Sequence, residues 1–157
     1  MIVVADTTPL NYLALIGQIE LLPALYERVL IPTAVYEELQ HTGTPPIVRA
    51  WATKLPVWCE VYAPTYELDS SLSELDAGEQ DAIRLALELG IHTLVTDDRD
   101  ARREAERRNL NVTGTISVLE KAGQRGLIDF RATLQSLEET NFRLSARIRA
   151  EFLRRNP

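Results

Sequence analysis

With 157 residues, 45% of them hydrophobic, the chain can fill one sizeable core and has no room for a second domain. Its formal net charge of −6 excludes a uniformly basic nucleic-acid wrapper, so a polyanionic partner has to be met locally. No apolar run approaches the roughly 20 residues of a membrane-spanning helix and the N-terminus lacks the marks of a signal peptide, so the expectation is a cytoplasmic protein with no membrane partner.

The chain opens on "IVVA", a β-branched strand candidate ended by Asp6. The following "TTPLNYLALIG" reads as a helix capped by Thr7 or Thr8, with Pro9 in its first turn. A second helical stretch, "IELLPALYE", leads to the short strand "RVLIP" and then to "PTAVYEELQ", a helix capped by Thr33. Turn residues open "TGTPPIVRAWATKL", a further helix, and "PVWCEVY" has the aromatic and β-branched content of a strand. The lone Cys59 in that strand excludes an intrachain disulfide, suits a reducing compartment and reads as a small buried hydrophobe.

Polar "APTYELDSSLS" reads as a loop. The strongest helix pattern follows in "LDAGEQDAIRLALELG", with Ala82, Ile83, Ala86, Leu87 and Leu89 at helical spacing and Gly90 placed to end it. "IHTLVTDD" is a strand ending in acids, "RDARREAERRN" an arginine-rich helix and "LNVTG" a last short strand. "TISVLEKAGQRG" is a helix closed near Gly123 or Gly126, and the tail holds two more helices. Short strands alternating with helices predict an α/β fold with a mostly parallel sheet covered on both faces.

In such a sheet ligands gather beyond the carboxyl ends of the strands. Asp6 and the pair Asp97 and Asp98 each follow a strand and should emerge at that edge. Glu37 and Glu38 lie on the helix after the second strand, and Asp76, Glu79 and Asp81 lie in the first turns of the strong helix. A cluster of this kind repels itself unless a cation neutralises it or protons are taken up. Magnesium and manganese prefer oxygen ligands and suit phosphodiester cleavage. The two histidines, His41 and His92, have no zinc-site spacing and read as ordinary loop or strand-edge residues.

Each acid also has a plain structural explanation. Asp76 and Glu79 have capping-box spacing, Asp97 or Asp98 could cap the next helix, and Glu37 or Glu38 could lie on a solvated face. Asp6 fits that explanation least, because a threonine stands ready as cap and a carboxylate beside a buried strand carries a desolvation cost.

In that order and spacing, "VVADTTPL", "IPTAVYEEL", "LDAGEQDAIRLALELG" and "LVTDDRDAR" resemble the PIN-domain nucleases, which include the VapC-like toxins of toxin–antitoxin pairs. With "TGTISVLEKAGQRGLI" the resemblance runs from Ile2 to about Ile128 and is nearest a subgroup whose function is often left unassigned. It implies a PIN-like three-layer fold in one domain over residues 1–157, with a core at 1–128 and a C-terminal helical segment at 129–157. It further implies a Mg2+- or Mn2+-dependent endoribonuclease with Asp6, Glu38, Glu79 and Asp98 as catalytic metal ligands. Glu37 competes with Glu38, and Asp97, Asp76 and Asp100 are further candidate ligands. Glu79 stands where many relatives carry aspartate. Thr7 and Thr96 become polar neighbours that orient water or ligands, and the implied partners are RNA, a small antitoxin protein and a second copy in a homodimer.

Arg99, Arg102, Arg103, Arg107 and Arg108 crowd the helix after "TDD" and are candidates for phosphate binding or for a solvated face. The last segment interleaves Phe142, Leu144, Ile148 and Phe152 with five arginines, and could pack on the core, touch RNA or be covered by a partner. Two rival functions remain: a PIN-like scaffold that binds RNA or protein without cutting, and, ranked lower, an aspartate-based phosphohydrolase. The latter usually wants a second aspartate two residues after the nucleophile, where this chain has Thr8.

Overall fold

Five short strands among the described residues, the three central ones hydrophobic on both sides, set the architecture of the computed structural model, which describes residues 1–65, 67 and 72–157. Part of the expected loop "APTYELDSSLS" lies outside the described residues. The strands are β1 (Ile2–Ala5), β2 (Arg28–Pro32), β3 (Cys59–Tyr62), β4 (Thr93–Val95) and β5 (Asn111–Thr113). All pair in parallel, in the order β3-β2-β1-β4-β5.

The helices are α1 (Thr7–Leu15), α2 (Leu21–Leu25), α3 (Thr33–Leu39), α4 (Pro46–Thr53), α5 (Ala77–Glu88), α6 (Arg99–Arg107), α7 (Thr115–Gln124), α8 (Phe130–Glu138) and α9 (Ala146–Arg155). Strand side chains alternate between the two faces of the sheet and so feed two cores. Val3, Ala5, Val29, Ile31 and Val95 pack with α1 to α4, α7 and α8, whereas Val4, Leu30 and Leu94 pack with α5 and α6. This is the expected three-layer arrangement, and its doubly covered sheet explains why the central strands β1, β2 and β4 lack polar alternation. Cys59 is buried, as expected, and burial pushes its thiol up to about 12.

The helix termini differ from the sequence reading at three points. Asp6, not Thr7 or Thr8, caps α1: its Oδ1 accepts from the Thr7 backbone N–H at 2.8 Å. The Thr7 hydroxyl is engaged elsewhere, donating to Glu38 at 2.6 Å. Thr33 is the first residue of α3 rather than its cap, because β2 runs straight into the helix and extended Pro32 occupies the cap position. Of the two glycines near the end of α7, Gly126 makes the left-handed turn (φ 73°), while Gly123 lies inside the helix. A Cβ on Gly123 would stand 2.9 Å from the Phe130 Cβ, so its smallness lets α8 pack close.

The topology places one crevice. From β1 the chain moves outward to β2 and β3, then returns to β4 beside β1 and moves outward the other way to β5. The helices that follow β1 and β4 therefore leave on opposite faces, α1 into one core and α6 into the other. Between them the carboxyl ends of β1 and β4 lie open, the usual ligand position in such a sheet.

Asp97, just after β4, fixes the neighbouring α7. Its Oδ1 accepts from the Thr115 N–H at 2.8 Å and its Oδ2 from the Thr115 hydroxyl at 2.5 Å. A Cβ on Gly114 would come within 2.8 Å of the same carboxylate, so glycine is needed for this approach. Asp98 has a smaller duty, capping α6 through one bond from Ala101 N–H at 2.8 Å. Replacing Asp97 by Ala strands two polar groups of the fully buried Thr115 and should lower the unfolding free energy by about 2–3 kcal/mol. Asp98→Ala should cost about 1 kcal/mol, the value of a single cap. Urea unfolding of the two variants in EDTA checks the order.

Candidate functional site

β1 delivers Asp6 to the crevice almost sealed from water, at 4% exposure. Its backbone N–H continues the ladder by donating to the Val95 carbonyl at 2.9 Å, which locks the first acid to the end of β4. Oδ1 holds the α1 terminus, and Oδ2 accepts from the hydroxyl of Thr96, 90 residues later, at 3.1 Å. The Thr96 oxygen also accepts from the Asp98 N–H at 3.3 Å. Thr96 is wholly buried, so it joins Asp6 and Asp98 without solvent between them.

The second acid arrives through α3, which packs against α1 and α5. Glu38 faces the crevice and accepts from Thr7 through Oε2, while Glu37 is exposed. Its Oε1 fills space that a side chain at position 78 would need: a Cβ on Gly78 would lie 2.6 Å away. The N-terminus of α5 follows directly. Asp76 and Glu79 form the capping box, with Glu79 N–H donating to Asp76 at 2.8 Å and Asp76 N–H donating to Glu79 at 3.1 Å. Asp81 turns aside to pair with Arg84 at 2.8 Å.

These segments share one electrostatic field. Burial pushes the Asp6 carboxyl up to about 7, with Glu79 and Asp76 adding repulsion against the donors Thr7 and Thr96. Burial likewise pushes Glu79 up to about 7, reinforced by Asp76, Asp98 and Glu38 and opposed by the Asp76 N–H. Glu79 thus feels two other segments, through Asp98 and Glu38, besides the Asp76 of its own capping box. Near neutral pH such a group stores a demand for positive charge.

In kind, the donors fit a hard divalent cation: they are all carboxylate oxygens, and both histidines lie elsewhere. His92 precedes β4 at the opposite edge of the sheet, and His41 accepts from the Gly43 N–H beyond the end of α3. Among the described residues no three acidic, histidine or cysteine side chains are already arranged to enclose a metal ion. Glu38, Glu79 and Asp98 each make a bond through one carboxylate oxygen, and among the described residues the other oxygen makes none. Asp97 differs, since Thr115 takes both of its oxygens.

A groove of about 610 Å³ opens beside the acids, bordered by Glu79, Asp97, Asp98, Arg99 and Arg102. The exposed Asp100 and Arg103 border a separate hollow of about 210 Å³ with Glu74 and Glu104, while Arg107 and Arg108 pair with Glu104. Of the arginines on α6, therefore, Arg99 and Arg102 stand at the groove and Arg103 does not. Sequence reasoning missed Thr8 and Ser117 on the groove wall, and also Gly78 and Gly114, whose absent side chains make room for Glu38 and Asp97. The glycines could have been noticed, since each sits beside an acid or hydroxyl motif at a helix start. The small hydroxyl residues carry no such mark.

A family model described as a PIN domain matches residues 2–156, whereas the curated proteins contain no match to the chain. PIN domains are generally nucleases and usually use divalent metals. With a parallel sheet, a crevice between β1 and β4 and a match over nearly its whole length, the chain belongs to the PIN-domain family.

Proposed function

We propose that the protein is a divalent-metal-dependent endoribonuclease in which Asp6, Glu38, Glu79 and Asp98 hold Mg2+ or Mn2+. The observation that carries this reading is Asp6, a carboxylate 4% exposed, pushed up to about 7 and met by further acids rather than by a cation among the described residues. A fold that needed only a helix cap at this position could use threonine or asparagine at no electrostatic cost.

Each residue has a distinct task. Thr96 orients Asp6 and, through the Asp98 N–H, keeps the two acids in register. Thr7 holds Glu38 in the crevice, and Gly78 leaves it room. Glu79 collects the repulsion of Asp76, Asp98 and Glu38 and gives it up when positive charge arrives. The bound ion supplies polarisation of a phosphoryl oxygen and a lowered water pKa. Asp97 keeps α7 in place and Asp76 keeps α5, so both support the site from its edges. Kinship with VapC-like toxins extends the proposal to a toxin role, with a small antitoxin as partner and a homodimer as assembly.

One observation favours a second reading. Asp6, Asp76 and Asp98 all cap helices, so the acids would be retained by a PIN-like scaffold that binds without cutting. Cleavage of a mixed pool of labelled single-stranded RNAs in Mn2+, Mg2+ and EDTA separates the two. The nuclease reading expects cutting in metal, none in EDTA and none by Asp6→Asn. Activity that survives EDTA or the substitution removes the assignment. Thr96→Val keeps the shape of this buried side chain but frees Asp6, and should lower the metal-dependent rate about 10- to 100-fold.

Stability gives a readout independent of turnover. The Asp6 carboxyl titrates near 7 in the folded protein against 3.8 in the unfolded chain, so between those values the folded state holds the extra proton. Stability in EDTA should therefore fall as pH rises from about 4 to about 7. Asp6→Asn, which retains a cap oxygen, removes this contribution: it should melt above the wild type at pH 8 and lose the advantage by pH 4. Manganese at pH 8 should raise the melting temperature of the wild type and leave Asp6→Asn unmoved. Equal responses in both proteins would assign the acids to capping alone, and scanning fluorimetry measures all these quantities.

A further inference from the structure

The acidic edge accounts for one end of the groove and leaves its far wall unexplained. That wall comes from the C-terminal segment, where Phe142, Arg143, Leu144, Ile148 and Phe152 face Thr8 and Tyr12 of α1. The loop that carries Phe142 is held in a definite shape although it is neither helix nor strand. Thr140 donates through its hydroxyl to the Leu137 carbonyl at 2.5 Å and accepts from the Phe142 N–H at 3.1 Å. The Tyr12 hydroxyl donates to the Asn141 side chain at 2.7 Å, and the Tyr12 and Phe142 rings meet edge to face at 5.0 Å. Ser145 then caps α9.

The wall itself is docked rather than buried, for α9 has no buried residue. Glu120 on α7 receives Arg155 at 3.1 Å and Asn156 at 2.6 Å, and Arg131 donates to the Leu153 and Asn156 carbonyls at 2.9 Å. The Phe152 ring rests 6.3 Å from that of Phe130. This fixes an apolar surface in the same groove that the acids border.

Charge identifies what fits between. Arg155, Arg149, Arg107 and Arg108 have carboxylate partners. Arg99 and Arg143, which both line the groove, have none among the described residues. A groove with unpaired guanidinium groups at its sides, an aromatic pair on its wall and an acidic edge at one end is complementary to a nucleotide. Phosphates meet the arginines and a base meets the rings.

We propose that this groove is the seat of a nucleotide of single-stranded RNA next to the bond being cut, with Arg143 and Arg99 on its phosphates and Phe142 and Leu144 against its base. The proposal rests on the nuclease reading and adds to it a binding subsite built by the C-terminal segment. A polypeptide segment in the same groove would leave the unpaired arginines without anionic partners unless it were acidic. RNA supplies that charge at every residue of its backbone.

The test uses the full-length chain and fluorescence anisotropy with a labelled, mixed-sequence single-stranded RNA in EDTA, where binding is read without cleavage. Arg143→Glu should weaken binding on the order of tenfold and flatten the dependence of affinity on salt. Phe142→Leu, which keeps an apolar side chain beside Tyr12, should weaken binding severalfold. An abasic oligoribonucleotide should bind the wild type and Phe142→Leu alike while still discriminating against Arg143→Glu. In Mn2+ both variants should raise KM with kcat little changed.

Unchanged affinity in Arg143→Glu and Phe142→Leu, alongside normal metal-dependent cleavage, would overturn the subsite and leave the nuclease reading intact. Wild-type binding that weakens in these variants without any cleavage in metal would uphold the subsite and sink the nuclease reading. No RNA binding by the wild type would overturn the subsite and leave the groove to an acidic polypeptide.

Discussion

One carboxylate out of water constrains the rest of this molecule. Asp6 can stay at the end of β1 only because two donors reach it, the Thr7 N–H from the start of α1 and the Thr96 hydroxyl from the end of β4. Both donors depend on the strand order: β4 must lie beside β1, and α1 must leave on the face away from α6. Even so, two hydrogen bonds do not offset the burial, and the carboxyl remains pushed up to about 7. The fold therefore holds an unresolved electrostatic demand at the position where its topology opens a crevice.

The neighbouring acids show how capping and ligation can share a residue. A carboxylate has two oxygens, and a helix N-terminus uses one. Asp98 and Glu79 are each tied through one oxygen to a backbone N–H, which fixes direction while the second oxygen stays available. Asp97 shows the contrast, with both oxygens committed to Thr115 and a structural role to match. Adjacent residues of one type thus divide the work according to which helix start each can reach: α6 for Asp98, α7 for Asp97.

Much of the architecture was legible in the sequence because local patterns carried it. Short β-branched runs ended by acids marked β1 and β4, and the spacing of apolar residues marked α5 with Gly90 at its end. The arrival of Asp6 and Asp98 at one edge followed from strand polarity alone. What stayed hidden depended on side chains meeting across long separations. Thr7 was expected near a helix cap, but its hydroxyl goes to Glu38, a contact that also tells Glu38 from Glu37. Likewise, the apolar and basic residues after Thr140 form a clear amphipathic pattern, yet only the docking of α9 on Glu120 and Arg131 decides that Phe142, Arg143, Leu144, Ile148 and Phe152 are the ones that line the groove beside the acids.

The hydrogen atom that serves as the side chain of Gly78 has a wider consequence. Glu38 Oε1 stands 2.6 Å from where the first carbon of any other residue at position 78 would be, so a feature of α5 sets the side-chain conformation of a residue on α3. The two positions form one lock divided between distant parts of the chain. In any lineage that keeps this packing they are expected to drift as a pair: a side chain gained at 78 moves the Glu38 carboxylate off its present place or favours a shorter acid there. A chimera that takes its first half from one relative and its second half from another would inherit the acid without its clearance unless both positions crossed over together.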